Sequence, residues 1–285
     1  MWLLPTWERE VSSVLGAWTF DPTVVAALLA TGVLYLRGVR RVRRPDRKLA
    51  NRAACFIGGL AVIWIAVQSP IDAYADTRLS VHMVQHLLLT MVAAPLLVLG
   101  APVTLALRAS TAAFRRRWLL PLLRSWPVRL LSAPPLAWAQ FVLVLWASHF
   151  SPLYEAAVRS GGVHALEHLL YVASAVLFWS PVAGVDPSPK RLSHPARLLY
   201  LFLAMPQASF LGLAMWGTNR ILYPSYQAAL GPAALDDQRL AGTIMGSAGM
   251  LIMVPALGLV LLDWLAREER EAARTDARLG VGGGS

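Results

Sequence analysis

The sequence predicts an all-α, polytopic membrane protein with seven transmembrane helices, its N-terminus outside and its C-terminus inside. Three observations carry that expectation. Of the 285 residues, 56% are hydrophobic and only 15% are charged, where a soluble domain carries roughly a quarter charged. Seven apolar stretches are each long enough to cross a bilayer, which takes about 20 residues of helix. The Lys and Arg residues, 26 in all, gather in alternate loops, and that asymmetry is what sets orientation in a membrane.

The stretches run approximately over 22–38, 53–70, 80–100, 129–150, 163–183, 196–217 and 241–264. Charges or Pro/Gly turns bound each of them. Internal prolines (Pro95, Pro134, Pro135, Pro206 and Pro255) are compatible with spanning helices, because neighbouring groups can satisfy the backbone they free. Residues 1–21 contain Trp2, Trp7 and Trp18 and read as an outer interfacial anchor, since Trp favours the headgroup level. Residues 22–264 form the seven-helix domain, and 265–285 read as a charged, disordered cytoplasmic tail ending in glycines. The first loop (Arg40, Arg41, Arg43, Arg44, Arg47, Lys48), the third (Arg108, Arg115, Arg116, Arg117, Arg124, Arg129), the fifth (Lys190, Arg191, Arg197) and the tail are basic. The intervening loops hold little more than Arg78, Arg159, Arg220 and Arg239. The N-terminus has no basic n-region or cleavage site, so no signal peptide is expected. The net charge of +10 is accounted for by topology and gives no reason to invoke nucleic acid. A single cysteine, Cys55, excludes a disulfide framework and a Cys-based zinc motif.

Titratable groups within spans are expensive and usually functional. Here they are almost all histidines. His82 and His86 open the third stretch, His149 closes the fourth, and His164, Glu167 and His168 open the fifth. Each pair is four residues apart and therefore shares a helix face. Alternation of the spans puts five of the six histidines at one outer level, leaving His194 in an inner loop. A lone His at a helix end, such as His149, is ordinarily an interfacial residue. Two i, i+4 pairs and a fifth His at one depth are a metal-site pattern, because burying imidazoles without use is unfavourable. Imidazole serves copper, zinc, iron and nickel. Met83, Met215 and Met245 lie at the same level, and thioethers favour Cu(I). The expected ligands are His82, His86, His164 and His168, with His149 and Met245 as secondary candidates. Glu167 and the acids Asp72, Asp76, Asp236 and Asp237 are candidates to orient the imidazoles; Asp237 could equally cap a helix.

Several segments together resemble a known family: Gln68-Ser-Pro70, His82-Met-Val-Gln-His86, Ala94-Pro-Leu-Leu-Val-Leu-Gly-Ala-Pro102, His164 with Glu167-His168, and Asp236-Asp-Gln-Arg-Leu-Ala-Gly242 with Met245. They are similar to the bacterial seven-span cytochrome c oxidase assembly factor (CtaG) family. The resemblance implies a multi-pass protein of the bacterial cell membrane that helps mature a haem–copper oxidase, handling copper for its subunit I. It carries over His82, His86, His164, His168, Asp237 and Met245 as characteristic positions. One departure is visible: Gly246 stands where an aromatic is expected.

The favoured reading is a non-enzymatic copper carrier that holds Cu(I) and passes it to oxidase subunit I by ligand exchange, supplied by an extracytoplasmic copper chaperone. Membrane lipid is the other expected partner. The alternative is a seven-span zinc metallohydrolase, since His164-Ala-Leu-Glu167-His168 fits H-x-x-E-H with the glutamate as general base. A third reading is a haem-binding electron carrier with axial histidines.

Overall fold

The computed structural model describes residues 16–42, 46–187 and 191–279, and these contain helices and no strands. Among the described residues six helices are long and apolar enough to cross a membrane, and the count reaches seven when the bent pair Pro134–His149 and Pro152–Arg159 is taken as one span. Span one is Pro22–Arg41 and span two Arg47–Gln68. Span three is built of Leu79–Leu87, a π-helical turn Leu88–Ala93, and Ala94–Leu99. Span four is Pro134–His149, span five Gly161–Ala183, span six His194–Gly217, and span seven is the membrane part of Ala234–Leu279. Leucines such as Leu143, Leu213, Leu251 and Leu262 are exposed on the flanks, as lipid-facing positions should be.

The sequence accounts for the breaks. Pro95 has no N–H to offer the preceding turn and its ring crowds it, and the widened π turn ahead of it absorbs the mismatch. The carbonyl of Thr90 in that turn accepts from Trp179 Nε1 of span five at 3.0 Å. Span four starts at Pro134 rather than at 129. Trp126–Leu131 is a separate short helix, because a residue before proline leaves the helical region while proline suits the first helical turn. At 16 residues span four is short for a crossing, and its chain turns by 68° into Pro152–Arg159. Ser151 caps this second piece by accepting from Leu153 N.

The N-terminal anchor expected over 1–21 falls mostly outside the described residues. Its described end packs on span two: Trp18 lies against Trp64 with ring centroids 5.1 Å apart, and Asp21 N donates to Gln68 at 2.9 Å. Of the tail expected to be disordered from 265, the part to Leu279 is helical, and 280–285 lie outside the described residues. It is supported by i, i+4 contacts such as Arg267 with Asp263 and Trp264 with Glu268, which stabilise an exposed helix.

Spans six and seven touch backbone to backbone. A Cβ on Gly212 would lie 2.3 Å from the Gly242 carbonyl oxygen, and one on Gly242 would lie 2.5 Å from the Gly212 carbonyl oxygen. Small residues at such crossings are how membrane helices pack without a hydrophobic drive between them. Gly246 differs, because its added Cβ would meet only Ser209 at 3.7 Å. Gly212→Ala and Gly242→Ala should therefore each destabilise the detergent-solubilised protein by about 1–3 kcal/mol through overpacking. Gly246→Ala should change little, and thermal unfolding of the three variants side by side checks the order.

Candidate metal centre

Span three and span five present their i, i+4 histidine pairs to each other. One ring nitrogen from each of His82, His86, His164 and His168 can be chosen so that all four lie within 4.8 Å of one another. His82 and His86 are essentially without solvent contact, and His164 is buried. The Nε2 atoms of His82 and His86 are 2.9 Å apart. A four-coordinate ion with metal–nitrogen distances of about 2.0–2.1 Å separates its ligands by roughly 3.3 Å, a spacing comparable to that of these nitrogens, so these four residues are the ones that would hold an ion.

The surroundings set the protonation of the first imidazole. The Tyr226 hydroxyl donates to the Ala75 carbonyl at 2.9 Å and so accepts from His82 Nδ1 at 2.8 Å. The His82 proton therefore sits on Nδ1, and the Nε2 lone pair faces the cluster. His149 is locked similarly: its Nδ1 donates to the Leu145 carbonyl at 2.8 Å, leaving Nε2 with no partner. Its ring centroid is 6.2 Å from that of His86, so the secondary candidate lies beside the four.

Unsatisfied atoms define the chemistry. His86 Nδ1, the Nε2 atoms of His149, His164 and His168, and both carboxylate oxygens of Glu167 are buried without a hydrogen bond. Native structures rarely leave such groups unpaired. Glu167 Oε2 is 3.9 Å from the Nε2 atoms of both His82 and His86. Imidazole lone pairs and a carboxylate converging in a dry space are a donor set for a cation, so the residues present fit a metal ion. Glu167 thus stands where the sequence places an imidazole partner.

Asp237 does not. It accepts from Ser80 N at 3.2 Å and Ser80 Oγ at 2.5 Å, so it anchors the first turn of span three from span seven and orients no ring directly. Asp76 lies 3.8 Å from His164 Nδ1. Asp72 instead accepts from Thr19 and Gln85, and burial holds its carboxyl above the usual range against those two hydrogen bonds. Asp236 pairs with Arg239 at 3.4 Å, away from the rings. Met245 borders a small cavity of about 20 Å³ that also touches His86, Met91, Met205 and Met253. It is placed beneath the histidines and outside the four-nitrogen cluster. Met83 and Met215 are wholly buried in the main core. His194 begins span six and pairs with Asp263 at 3.1 Å.

Four buried tyrosines wall the site, and none was singled out from the sequence. Tyr154 lies over His82 with ring centroids 4.8 Å apart, and Tyr171 lies 4.3 Å from His86. Tyr171 also contacts the Ser148 hydroxyl, and Tyr223 donates to the His149 carbonyl at 3.0 Å. Only Tyr171 had a readable signal, sitting three residues beyond His168 on the same helix face. Tyr154, Tyr223 and Tyr226 come from Pro152–Arg159 and from the entry to and body of Pro224–Leu230. The two short helices are tied together by Glu155, which accepts from Ser225 Oγ at 2.7 Å.

A polytopic helical membrane protein with a buried multi-histidine centre near one end of its bundle is the class this geometry defines. The chain belongs to the cytochrome c oxidase caa3 assembly factor (Caa3_CtaG) family, whose model matches residues 33–267, and it is accordingly a multi-pass bacterial membrane protein. It is similar to an uncharacterised protein of Mycobacterium leprae, 33% identical over 270 residues that make up 91% of this chain and 41% of that protein. Uncharacterised proteins of Mycobacterium bovis and Mycobacterium tuberculosis are each 30% identical over 277 residues, 93% of this chain and 42% of theirs. The chain thus spans about two-fifths of the length of these relatives. No solved structure matches it.

If Asp237 is a cap and not an imidazole partner, Asp237→Ala should lower stability by about 0.5–2 kcal/mol while leaving metal content per folded chain unchanged. Thermal unfolding paired with metal analysis of the folded fraction checks both halves.

Proposed function

We propose that the bundle carries one copper ion as Cu(I), held by His82, His86, His164 and His168, and yields it to subunit I of a cytochrome c oxidase during assembly. The observation that carries this reading is the convergence of four imidazoles, three of which keep a buried ring nitrogen with no hydrogen-bond partner. Membership of the assembly factor family supports the oxidase as the destination.

Copper is cargo here, and no bond in the protein is made or broken apart from ligand exchange. Each imidazole that leaves the ion is replaced by a donor of the receiving protein. Neutral imidazoles with methionines lining the adjoining cavity form a soft donor environment, which suits Cu(I) better than harder cations. Glu167 offsets the positive charge in the dry interior, and His149 supplies a further nitrogen that a departing ion can use. The basic loops favour the arginine end as cytoplasmic, which turns the histidine end outward toward an extracytoplasmic copper chaperone. Tyr226 positions His82, and Tyr154 and Tyr171 exclude water.

Purified from copper-supplied cells, the parent protein should hold stoichiometric copper, and the His86→Ala/His168→Ala double variant should hold only background. Equal copper in the two would remove the proposal, and zinc in place of copper in the parent would remove its Cu(I) part. Tyr226→Phe should keep the fold and weaken copper affinity by about 10–100-fold, the usual effect of losing the group that orients a metal-binding imidazole. Competition with a Cu(I) chelator measures it.

A further inference from the structure

The opposite end of the bundle holds a cleft of about 700 Å³ between spans three, five, six and seven. Its floor is apolar: Trp179, Val182 and Val260 are buried there. Its lip includes Leu99 and Leu259, which are 41% and 69% exposed on the flank of the bundle, so the cleft opens toward lipid. Its other rim is cationic, with Arg191, Arg197, Arg267 and His194, and Asp263 is the one acidic residue among the described lining. Asp263 is already engaged by His194 at 3.1 Å and Arg267 at 3.2 Å. Arg197 lies within electrostatic range of both Arg191 and Arg267, and its Nε is buried without a hydrogen-bond partner. Gly184, in the left-handed conformation at φ 58, makes room for the guanidinium, since a Cβ there would lie 2.7 Å from an Arg197 terminal nitrogen.

Three arginines facing one committed carboxylate leave a positive excess, and an unpaired buried N–H asks for an acceptor. The apolar floor beside it asks for hydrocarbon. We propose that this cleft is a binding site for an anionic phospholipid, with the phosphate seated among Arg191, Arg197 and Arg267 and an acyl chain laid along Trp179 and Val260. Basic pockets between transmembrane helices recognise acidic headgroups by the same chemistry. The phosphate oxygens supply the acceptor that Arg197 Nε lacks, and the sideways opening admits a molecule that arrives within the bilayer. The site shares no residue with the histidine centre and stands or falls independently of what that centre binds.

Native mass spectrometry of the delipidated full-length chain in neutral detergent tests this. Phosphatidylglycerol and phosphatidylcholine with identical acyl chains are added in turn. The parent should retain phosphatidylglycerol selectively. Arg191→Gln/Arg267→Gln should weaken that binding about thirtyfold, the weight of two basic side chains near an anionic lipid surface. Arg270→Gln/Arg274→Gln removes the same charge from the helix beyond the cleft and should leave it intact. Circular dichroism verifies the fold of each variant, and neither changed position in the first variant is in the buried core. Equal retention of the two lipids, equal loss in both variants, or displacement of the lipid by glycerol phosphate alone would each overturn the proposal.

Discussion

Imidazole nitrogens that cannot reach water govern this molecule. An unpaired polar group in an apolar interior is unfavourable by several kcal/mol at the upper end; here four histidines bring ring nitrogens within 4.8 Å of one another, and three of those rings keep a buried nitrogen with no partner. Scattered singly, each histidine could satisfy itself on a neighbouring backbone, as half of His149 does on Leu145. Crowded together, they hold their lone pairs toward a common point, and the rest of the fold must keep them there. Tyr226 bridges His82 to the Ala75 carbonyl, and Asp237 grips the turn of span three that precedes His82. The bend after His149 brings Tyr154 across the top. These ties matter more in a membrane than they would in water, because lipid tails are as apolar as the helix surfaces and supply no hydrophobic drive toward association. Packing at Gly212 and Gly242 and polar ties at the helix ends therefore do what a hydrophobic core does elsewhere.

The parts legible in the sequence are those with a one-dimensional signature. An apolar run of spanning length announces a helix, and two histidines four apart announce a shared face, so the architecture and the clustering of His82, His86, His164 and His168 could be read directly. Partners set by the third dimension could not. Tyr226 and Tyr154 lie on short amphipathic helices between spans, where nothing in composition separates a wall of a site from a loop residue. Asp237 was legible as significant but not in its role. Its position before span seven fits a cap for its own helix or a partner for a ring, whereas it serves the start of span three, 157 residues away. Span four was misjudged at its start because its apolar run extends past the Pro134–Pro135 pair, and proline chemistry overrides hydropathy there. The helix beyond 265 was hidden by its charge, although Asp263 with Arg267 carried the i, i+4 spacing of an exposed helix.

Placement of the polar groups divides the bundle. One end collects neutral donors behind a lid of short helices, and the other collects guanidinium groups around an open cleft. Among the described residues, the cluster and its supports run from Ala75 to Asp237 and the cleft lining from Pro95 to Arg267, all within 33–267. Both sets of described residues thus lie within the matched segment, while the relatives are more than twice the length of this chain.

The two ends are nonetheless framed by the same helices. Span three carries His82 and His86 at its start and Leu99 at its finish, with the π turn between them. Span five begins with His164 and His168 and ends at Gly184 beside Arg197. The helix of span seven runs from Asp237, which anchors the first turn of span three, to Asp263 and Arg267 on the cleft rim. The unusual element of span three is the π turn, a local widening of the helix whose Thr90 carbonyl accepts an indole N–H from span five. Its Leu89 and Met91 are buried in the apolar clusters on either side of it, so the turn is packed as well as hydrogen-bonded.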